Sequence, residues 1–258
     1  MNKHLRALCA WSGVITLVFM FVGMVVTGWL PVPGPDMTAD QVAAMYEEKH
    51  DRIRFFSMMN LCAAGWSMMW FAAISAQLRR IESGRSPMWT YLQLGCGVCS
   101  SFLFCVQALT WTVAAFRPDR NPEITQAFHD MAFIWFLMPF VFAMVGALAI
   151  ALCILEDKSA DPVYPRWAGY ANLYFAFGFP MAMFLTYAKT GPFAWDGLWP
   201  WWIPVVDYTI WSFVMSWLTH RASNRQHAEE GDATAIDMAY ALRSTVSTPE
   251  PARVRESV

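Results

Sequence analysis

The sequence predicts an all-α polytopic membrane protein, a bundle of six transmembrane helices with a short external amphipathic helix. Six long apolar blocks support this prediction, and polar stretches separate them. The blocks cover residues 8–30, 55–78, 88–116, 128–155, 167–188 and 201–219. Each reaches the roughly 20 residues that a helix needs to cross a ~30 Å hydrocarbon layer. Backbone groups inside a bilayer must bond within their own segment, so blocks of this length are expected to be helices.

The composition favours the same class. Of the 258 residues, 57% are hydrophobic and 15% are charged, which is more apolar side chain than a soluble domain buries. The chain has no basic run of the kind that binds nucleic acid, so we expect no nucleic-acid partner. The lipid bilayer is the first partner that this composition indicates.

The first apolar block is expected to stay on the protein. It runs from Leu8 to Leu30, whereas the apolar part of a cleavable secretory signal has only about 7–15 residues. Lys and Arg residues then set the orientation, with nine near the span ends on the N-terminal side and six on the other side. This imbalance predicts a plasma (inner) membrane protein with both termini in the cytoplasm.

The first external loop predicts the amphipathic helix. Residues 31–35 contain three prolines and cannot continue the first helix. Thr38 and Gln41 then have capping-box spacing, and Val42, Tyr46 and Ile53 follow at helical intervals. We expect this helix to run into the second span and to orient it.

The second external loop carries a cluster of charged and polar side chains. Asn121, Pro122 and Glu123 form a strong helix start, so the fourth helix is expected to begin outside the bilayer. We expect the charges to tie the third and fourth helices together, and the alternatives are a solvated ion-pair group or a weak metal or acid-base site. The external polar cluster comprises Arg117, Asp119, Arg120, Glu123, His129 and Asp130.

The last external loop is rich in tryptophan. Trp195, Trp199, Trp201 and Trp202 fall within eight positions of each other. Such a group is typical of an aromatic belt at the membrane surface, which we favour, and the alternative is one wall of a ligand-binding site.

Polar residues inside the apolar blocks indicate where a binding site would lie, because each costs free energy in hydrocarbon. Asn60, Gln107 and Asp207 share the outer half of the predicted membrane, while Gln93 and Asn172 lie deeper. Asp207 is predicted to be either a ligand anchor or proton carrier, or an interhelical contact to Asn60 or Gln107. Pro139, Pro180 and Pro204 lie within spans and can bend helices apart to line a cavity.

The cysteines and histidines argue against a cofactor. All six cysteines fall within or at the ends of apolar blocks, so no disulfide framework is expected, and Cys96 and Cys99 are interpreted as small packing residues. The five histidines are scattered, unlike the clusters of di-iron enzymes or the mid-span ligands of haem. We therefore predict no metal and no cofactor.

Residues 221–258 are polar and are predicted to form a disordered cytoplasmic tail after a domain of residues 1–220. Three functions remain open. The first is binding or translocation of a small apolar or amphipathic molecule, through an outward-facing pocket built from Asp207, Asn60, Gln107, Trp195 and Trp199. The second is an accessory subunit that packs against another membrane protein or a second copy. The third is an enzyme that uses the external polar cluster, and we rank it last.

Overall fold

A computed structural model of the protein describes residues 2–246, which form helices and the turns between them, without a strand in that range. The seven α-helices of this described range are α1 (Lys3–Thr27), α2 (Ala39–Ile81), α3 (Met88–Phe116), α4 (Pro122–Leu137), α5 (Val141–Glu156), α6 (Arg166–Gly178) and α7 (Ile203–Val246). Two 3-10 segments, Met138–Phe140 and Phe179–Tyr187, follow α4 and α6, and a π-helical segment, Leu198–Trp202, precedes α7.

Four helices in the described range are long and apolar enough to cross a membrane. They are Lys3–Thr27, Ala39–Ile81, Met88–Phe116 and the combined helix Pro122–Glu156. The all-α prediction is confirmed, with several apolar helices that suit a membrane. The count of six spans stays a prediction, because α6 ends after 13 residues and the apolar turns of α7 include Asp207.

The helices run alternately in opposite directions, which gives the bundle two ends. We call the end that carries residues 28–38, 117–121 and 188–202 the cap end, and the end that carries residues 3–9, 82–87, 157–165 and 220–246 the base end. Near the cap end the Thr27 hydroxyl of α1 donates to the Arg52 carbonyl of α2, at 3.1 Å. At the base end Arg6 of α1 meets Glu230 of α7.

Local signals in the sequence explain the helix ends. The capping box of α2 is confirmed, since Thr38 and Gln41 bond each other's backbone N–H groups. The helix that begins there continues without a break to Ile81, so the predicted short amphipathic helix is the first part of α2 and not a separate element. At the start of α4 the Asn121 side chain accepts from the Glu123 N–H, as predicted.

The end of the chain differs from the predicted disordered tail. Helix α7 continues past residue 220 to Val246, and residues 247–258 lie outside the described range. The sequence reading missed contacts that come from distant segments. Arg225 donates to Asp161 at 2.7 Å, and Arg80 of α2 forms an ion pair of 2.8 Å with Glu229.

The buried side chains form two separate clusters. The cap cluster comprises Trp29, Tyr46, Phe56, Trp111, His129, Phe133 and Trp195 with the smaller residues between them. The base cluster comprises Trp70, Phe71, Ile74, Tyr164, Trp211 and Met215 with their neighbours. Only partly buried residues such as Phe140 and Tyr208 contact both clusters.

Candidate functional site

Three breaks in regular helix lie between the junction of the two clusters and the cap end. The first is the 3-10 turn around Pro139, the second is the 3-10 segment that contains Pro180, and the third is the π-helical segment just before Pro204. Proline lacks the N–H of an α-helical bond and its ring crowds the preceding turn, so each break has a local cause. The first irregular segment packs against the second, and the second packs against the third.

An apolar pocket lies beside these breaks, at the centre of the bundle. Its volume is about 70 Å³. The wall includes two of the three prolines at the breaks, Pro139 and Pro204. Residues from α1, α2, α3, α4, α5 and α7 contribute to it, among them Met20, Phe71, Phe104, Phe136, Ala143 and Tyr208. The pocket therefore lies between the helices and not at the surface of one of them.

Gln107 is the one predicted site residue that lines this pocket. Its side-chain amide donates to Asn60 Oδ1 at 3.2 Å, and Asn60 in turn donates to the Phe56 carbonyl at 2.9 Å. Both side chains are buried. The structure thus joins two of the predicted residues in one interhelical hydrogen bond between α2 and α3. The remaining polar wall residues are Ser100 and Tyr208.

Asp207 does not join that pair. It is 6% exposed and faces α6, where the Tyr174 hydroxyl donates to its Oδ1 at 3.4 Å. Its Oδ2 has no hydrogen-bond partner in residues 2–246 and lies close to Gly178. The expected partners, Asn60 and Gln107, were therefore wrong, although the expectation that Asp207 contacts another helix is confirmed. The reason is the orientation of α7 about its own axis. Tyr208 lies on the side of α7 that faces the pocket, so the adjacent residue Asp207 faces α6.

The two predicted aromatic residues also lie away from the pocket. Trp195 is buried in the cap cluster, donates to the Pro33 carbonyl at 2.8 Å and stacks on Phe133 with ring centres 5.1 Å apart. Trp199 is 36% exposed and stacks on Phe193. The loop before α7 therefore covers the cap cluster and does not form the wall of the central pocket.

His129 is the residue that the sequence placed least well. We expected it in the external polar cluster, but it is fully buried among rings of the cap cluster, with its Nδ1 3.0 Å from the Tyr46 hydroxyl. Phe133 and Trp29 pack edge to face against its ring. A helical interval could have indicated this position, because Thr125, His129 and Phe133 recur every four residues and are all buried.

Several buried polar atoms of the cap cluster have no hydrogen-bond partner within the described range. They are the indole nitrogens of Trp29, Trp111 and Trp201, the Thr125 hydroxyl and Nε2 of His129. An unsatisfied buried group of this kind costs about 1–3 kcal/mol. The cap cluster is therefore held by ring packing, with few polar contacts inside it.

The rest of the external polar cluster is not assembled. Arg117, Asp119 and Glu123 are exposed, and no ion pair in residues 2–246 joins any two members of the cluster. The predicted charge link between the third and fourth helices is therefore absent there. The end of α3 is held instead by Arg54 of α2, which donates to the carbonyls of Ala115 and Phe116 at 3.1 and 3.3 Å.

Two carboxylates meet in the loops of the cap end. Asp36 and Asp196 both lie against Gly34. Burial raises the pKa of the Asp196 carboxyl above its ordinary value, and the negative charge of Asp36 raises it further. No group of three or more metal-ligating side chains occurs in the described part of the chain.

Comparison with protein-family models, curated proteins and solved structures found no match to this chain.

Proposed function

We propose that this protein is an integral membrane protein that binds a small apolar or amphipathic molecule in the central pocket. The observation that carries the proposal is the coincidence of the pocket with the helix breaks around Pro139 and Pro204. Irregular backbone at membrane depth is tolerated where it is covered by protein or lines a cavity. Such breaks are a recurring feature of membrane binding sites.

The size and the lining of the pocket restrict its ligand. The volume of about 70 Å³ is less than half of the roughly 150 Å³ cavity that holds benzene in a soluble protein. A slim hydrocarbon chain suits this space better than a ring does. Gln107, Ser100 and Tyr208 supply the polar atoms of the wall, so one hydroxyl or carbonyl group on the ligand can be hydrogen-bonded.

Binding is better supported than translocation. The cap cluster lies between the pocket and the cap end, and the base cluster lies between the pocket and the base end. Passage across the bundle would require one of these clusters to separate. The three irregular segments are the places where helices can bend for this purpose.

The proposed topology is six spans in the plasma membrane with both termini in the cytoplasm. Residues 166–187 and 203–219 supply the fifth and sixth spans in this proposal, because they run between the same two ends as the four long apolar helices. Cysteine substitution at Asp196 and at Arg85 tests the orientation. Labelling of the Asp196 position from the cytoplasmic side alone would contradict it.

Ligand-dependent stability tests the binding proposal. Straight-chain alcohols of increasing length would be added to the purified protein in detergent, and the melting temperature followed. A ligand at 100 times its dissociation constant stabilises a protein by about 2.7 kcal/mol. We expect stabilisation that grows with chain length and is lost in Ala143→Phe, which fills the pocket. Val98→Phe on the exposed face of α3 is the matched control and should respond as the parent does.

A second candidate is an accessory subunit of a larger membrane assembly, and one surface favours it. Helix α6 exposes Trp167, Tyr170, Tyr174 and Phe177 along its length, and Tyr187 beyond it is 84% exposed. Aromatic side chains of this kind are enriched where proteins meet. Chemical crosslinking in native membranes, with Tyr170→Ala as the variant, would capture a partner through this face if the candidate is right.

A further inference from the structure

The base end contains a second cavity, separate from the central pocket. Helices α1, α2 and α7 leave a cleft of about 350 Å³ between them, within the range of small-molecule sites. Its floor is apolar and exists because small side chains face each other there. Cys9 lies on α1, opposite Ala72, Ala73 and Ala76 of α2.

The mouth of this cleft holds a buried cation. Arg6 lies in the first turns of α1 and is only 8% exposed, and its guanidinium forms an ion pair with Glu230. The Arg6 hydrogen bond holds the pKa of Glu230 below its ordinary value. The Glu230 side chain is half exposed, at 49%, and belongs to the polar extension of α7. The anionic partner of Arg6 is therefore open to solvent and can be replaced.

Further polar side chains complete the rim. The Gln77 amide donates to Gln226 at 3.1 Å, and Gln226 donates to Glu230 at 2.9 Å. Arg80, one turn from Gln77, donates to the Gln77 side chain and to Glu229. The cleft thus has an apolar floor and a rim with two guanidinium groups nearby, each bonded to an exposed carboxylate of α7.

This arrangement has the chemistry of an anionic phospholipid. A guanidinium binds phosphate oxygens through two parallel hydrogen bonds, and basic pockets between membrane helices accept anionic head groups. Arg6 stands at the start of the apolar helix Lys3–Thr27, so it lies where lipid head groups meet the hydrocarbon. The alanine floor continues from that level into the bundle, along the direction that an acyl chain takes.

We propose that the cleft between α1, α2 and α7 is a binding site for an anionic phospholipid of the surrounding bilayer. Its phosphate replaces Glu230 on Arg6, and one acyl chain occupies the floor formed by Ala72, Ala73 and Ala76. Glu230 is then a competitor for the head group. This inference shares only the membrane location with the proposed function and does not depend on the central pocket.

The test uses the full chain in neutral detergent micelles. Phosphatidylglycerol or phosphatidylcholine with the same acyl chains is titrated in, and lipid adducts are counted by native mass spectrometry. We expect the parent to bind phosphatidylglycerol about tenfold more tightly than phosphatidylcholine, which corresponds to about 1.4 kcal/mol. Both lipids offer a phosphate to Arg6, but the choline cation of phosphatidylcholine is repelled by the guanidinium groups of Arg6 and Arg80. Arg6→Gln should abolish this preference and Glu230→Gln should increase it. Arg85→Gln, an exposed cation at the same end, is the matched control and should preserve the preference.

Because Arg6→Gln removes a buried cation together with its ion pair and could prevent folding, Ala76→Phe provides a second test. It fills an exposed part of the floor and should reduce the binding of both lipids. Three results would overturn the proposal. The first is equal binding of the two lipids by the parent, and the second is weaker phosphatidylglycerol binding in Glu230→Gln. The third is that inorganic phosphate alone binds the parent as tightly as phosphatidylglycerol does and with the same dependence on Arg6. The topology labelling of the proposed function is read out separately, so the two proposals fail in distinguishable ways.

Discussion

The cap cluster and the base cluster are both built from large rings, but they differ in how many of their buried polar atoms have a hydrogen-bond partner. In the base cluster the Trp211 indole donates to Asn172 Oδ1 at 2.8 Å, and the Tyr164 hydroxyl lies 3.0 Å from that of Thr219. Trp70 is the tryptophan there whose indole N–H has no partner within residues 2–246. In the cap cluster the indole N–H groups of Trp29, Trp111 and Trp201 have no hydrogen-bond partner within the same residues.

The difference indicates which half of the bundle is fixed and which half can move. Hydrogen bonds between helices set a register that packing alone does not, and the base end adds ion pairs from the extension of α7. The cap cluster instead depends on ring packing, and two of its rings, Trp29 and Trp195, come from loops. The pocket lies where the two halves meet, so we infer that a ligand enters by displacement of the cap half against a fixed base half.

The largest expected effect compares one tryptophan from each cluster. Trp211→Phe leaves Asn172 Oδ1 buried without its donor, whereas Trp111→Phe removes an N–H that has no partner. Both variants lose the same ring volume, so the difference reports the hydrogen bond. We expect Trp211→Phe to lower the free energy of unfolding by about 1–3 kcal/mol more than Trp111→Phe does. Equal losses in denaturant titrations would remove the distinction between the clusters.

The next effect concerns the hydrogen bond between the side chains of Tyr46 and His129 in the cap cluster. Tyr46→Phe and His129→Phe should each cost about 1–2 kcal/mol, because each leaves one atom of the Tyr46–His129 pair unsatisfied. The double variant should cost less than the sum of the two, with a coupling of roughly 0.5–3 kcal/mol. Strict additivity in the same unfolding assay would show that this contact contributes nothing to holding the cap half.

A smaller effect separates two arginines of the cap end. Arg54 binds two carbonyls at the end of α3, and Arg117 is exposed without an ion pair in the described range. Arg54→Ala should lower stability by about 1 kcal/mol, while Arg117→Ala should stay within about 0.5 kcal/mol of the parent. Melting temperatures of the two variants test this. The reverse order would restore the charge link that the sequence suggested for Arg117.

The smallest effect is a pH dependence of the cap loops. Because the pKa of Asp196 is raised in the folded protein, the folded state holds its proton to higher pH than the unfolded state does. Stability therefore falls as pH rises from the ordinary value of 3.8 through the raised one. Asp196→Asn should be slightly more stable than the parent at pH 7 and equal to it below about pH 3. Identical pH profiles would mean that neither burial nor the charge of Asp36 disfavours the ionised Asp196 carboxyl.

The sequence predicted the helices and their ends better than it predicted the contacts between helices. The capping box of α2, the start of α4 and the four long apolar helices all follow from local spacing or from length. The partner of Asp207 and the burial of His129 depend on how helices rotate against one another, which no local pattern fixes. The extension of α7 was missed because its contacts, such as Arg6 with Glu230, join opposite ends of the chain.

Photolabelling tests the central claim most directly. A fatty alcohol that carries a diazirine at its chain end would be bound to the purified protein, activated by light and located by peptide mass spectrometry. The pocket predicts labels on the α3 residues between Ser100 and Gln107 that line it, and on Val205 and Tyr208 of α7, all of them lost in Ala143→Phe. Labels confined to outward-facing residues such as Val98, Phe102 and Phe213, and unchanged in that variant, would contradict the claim.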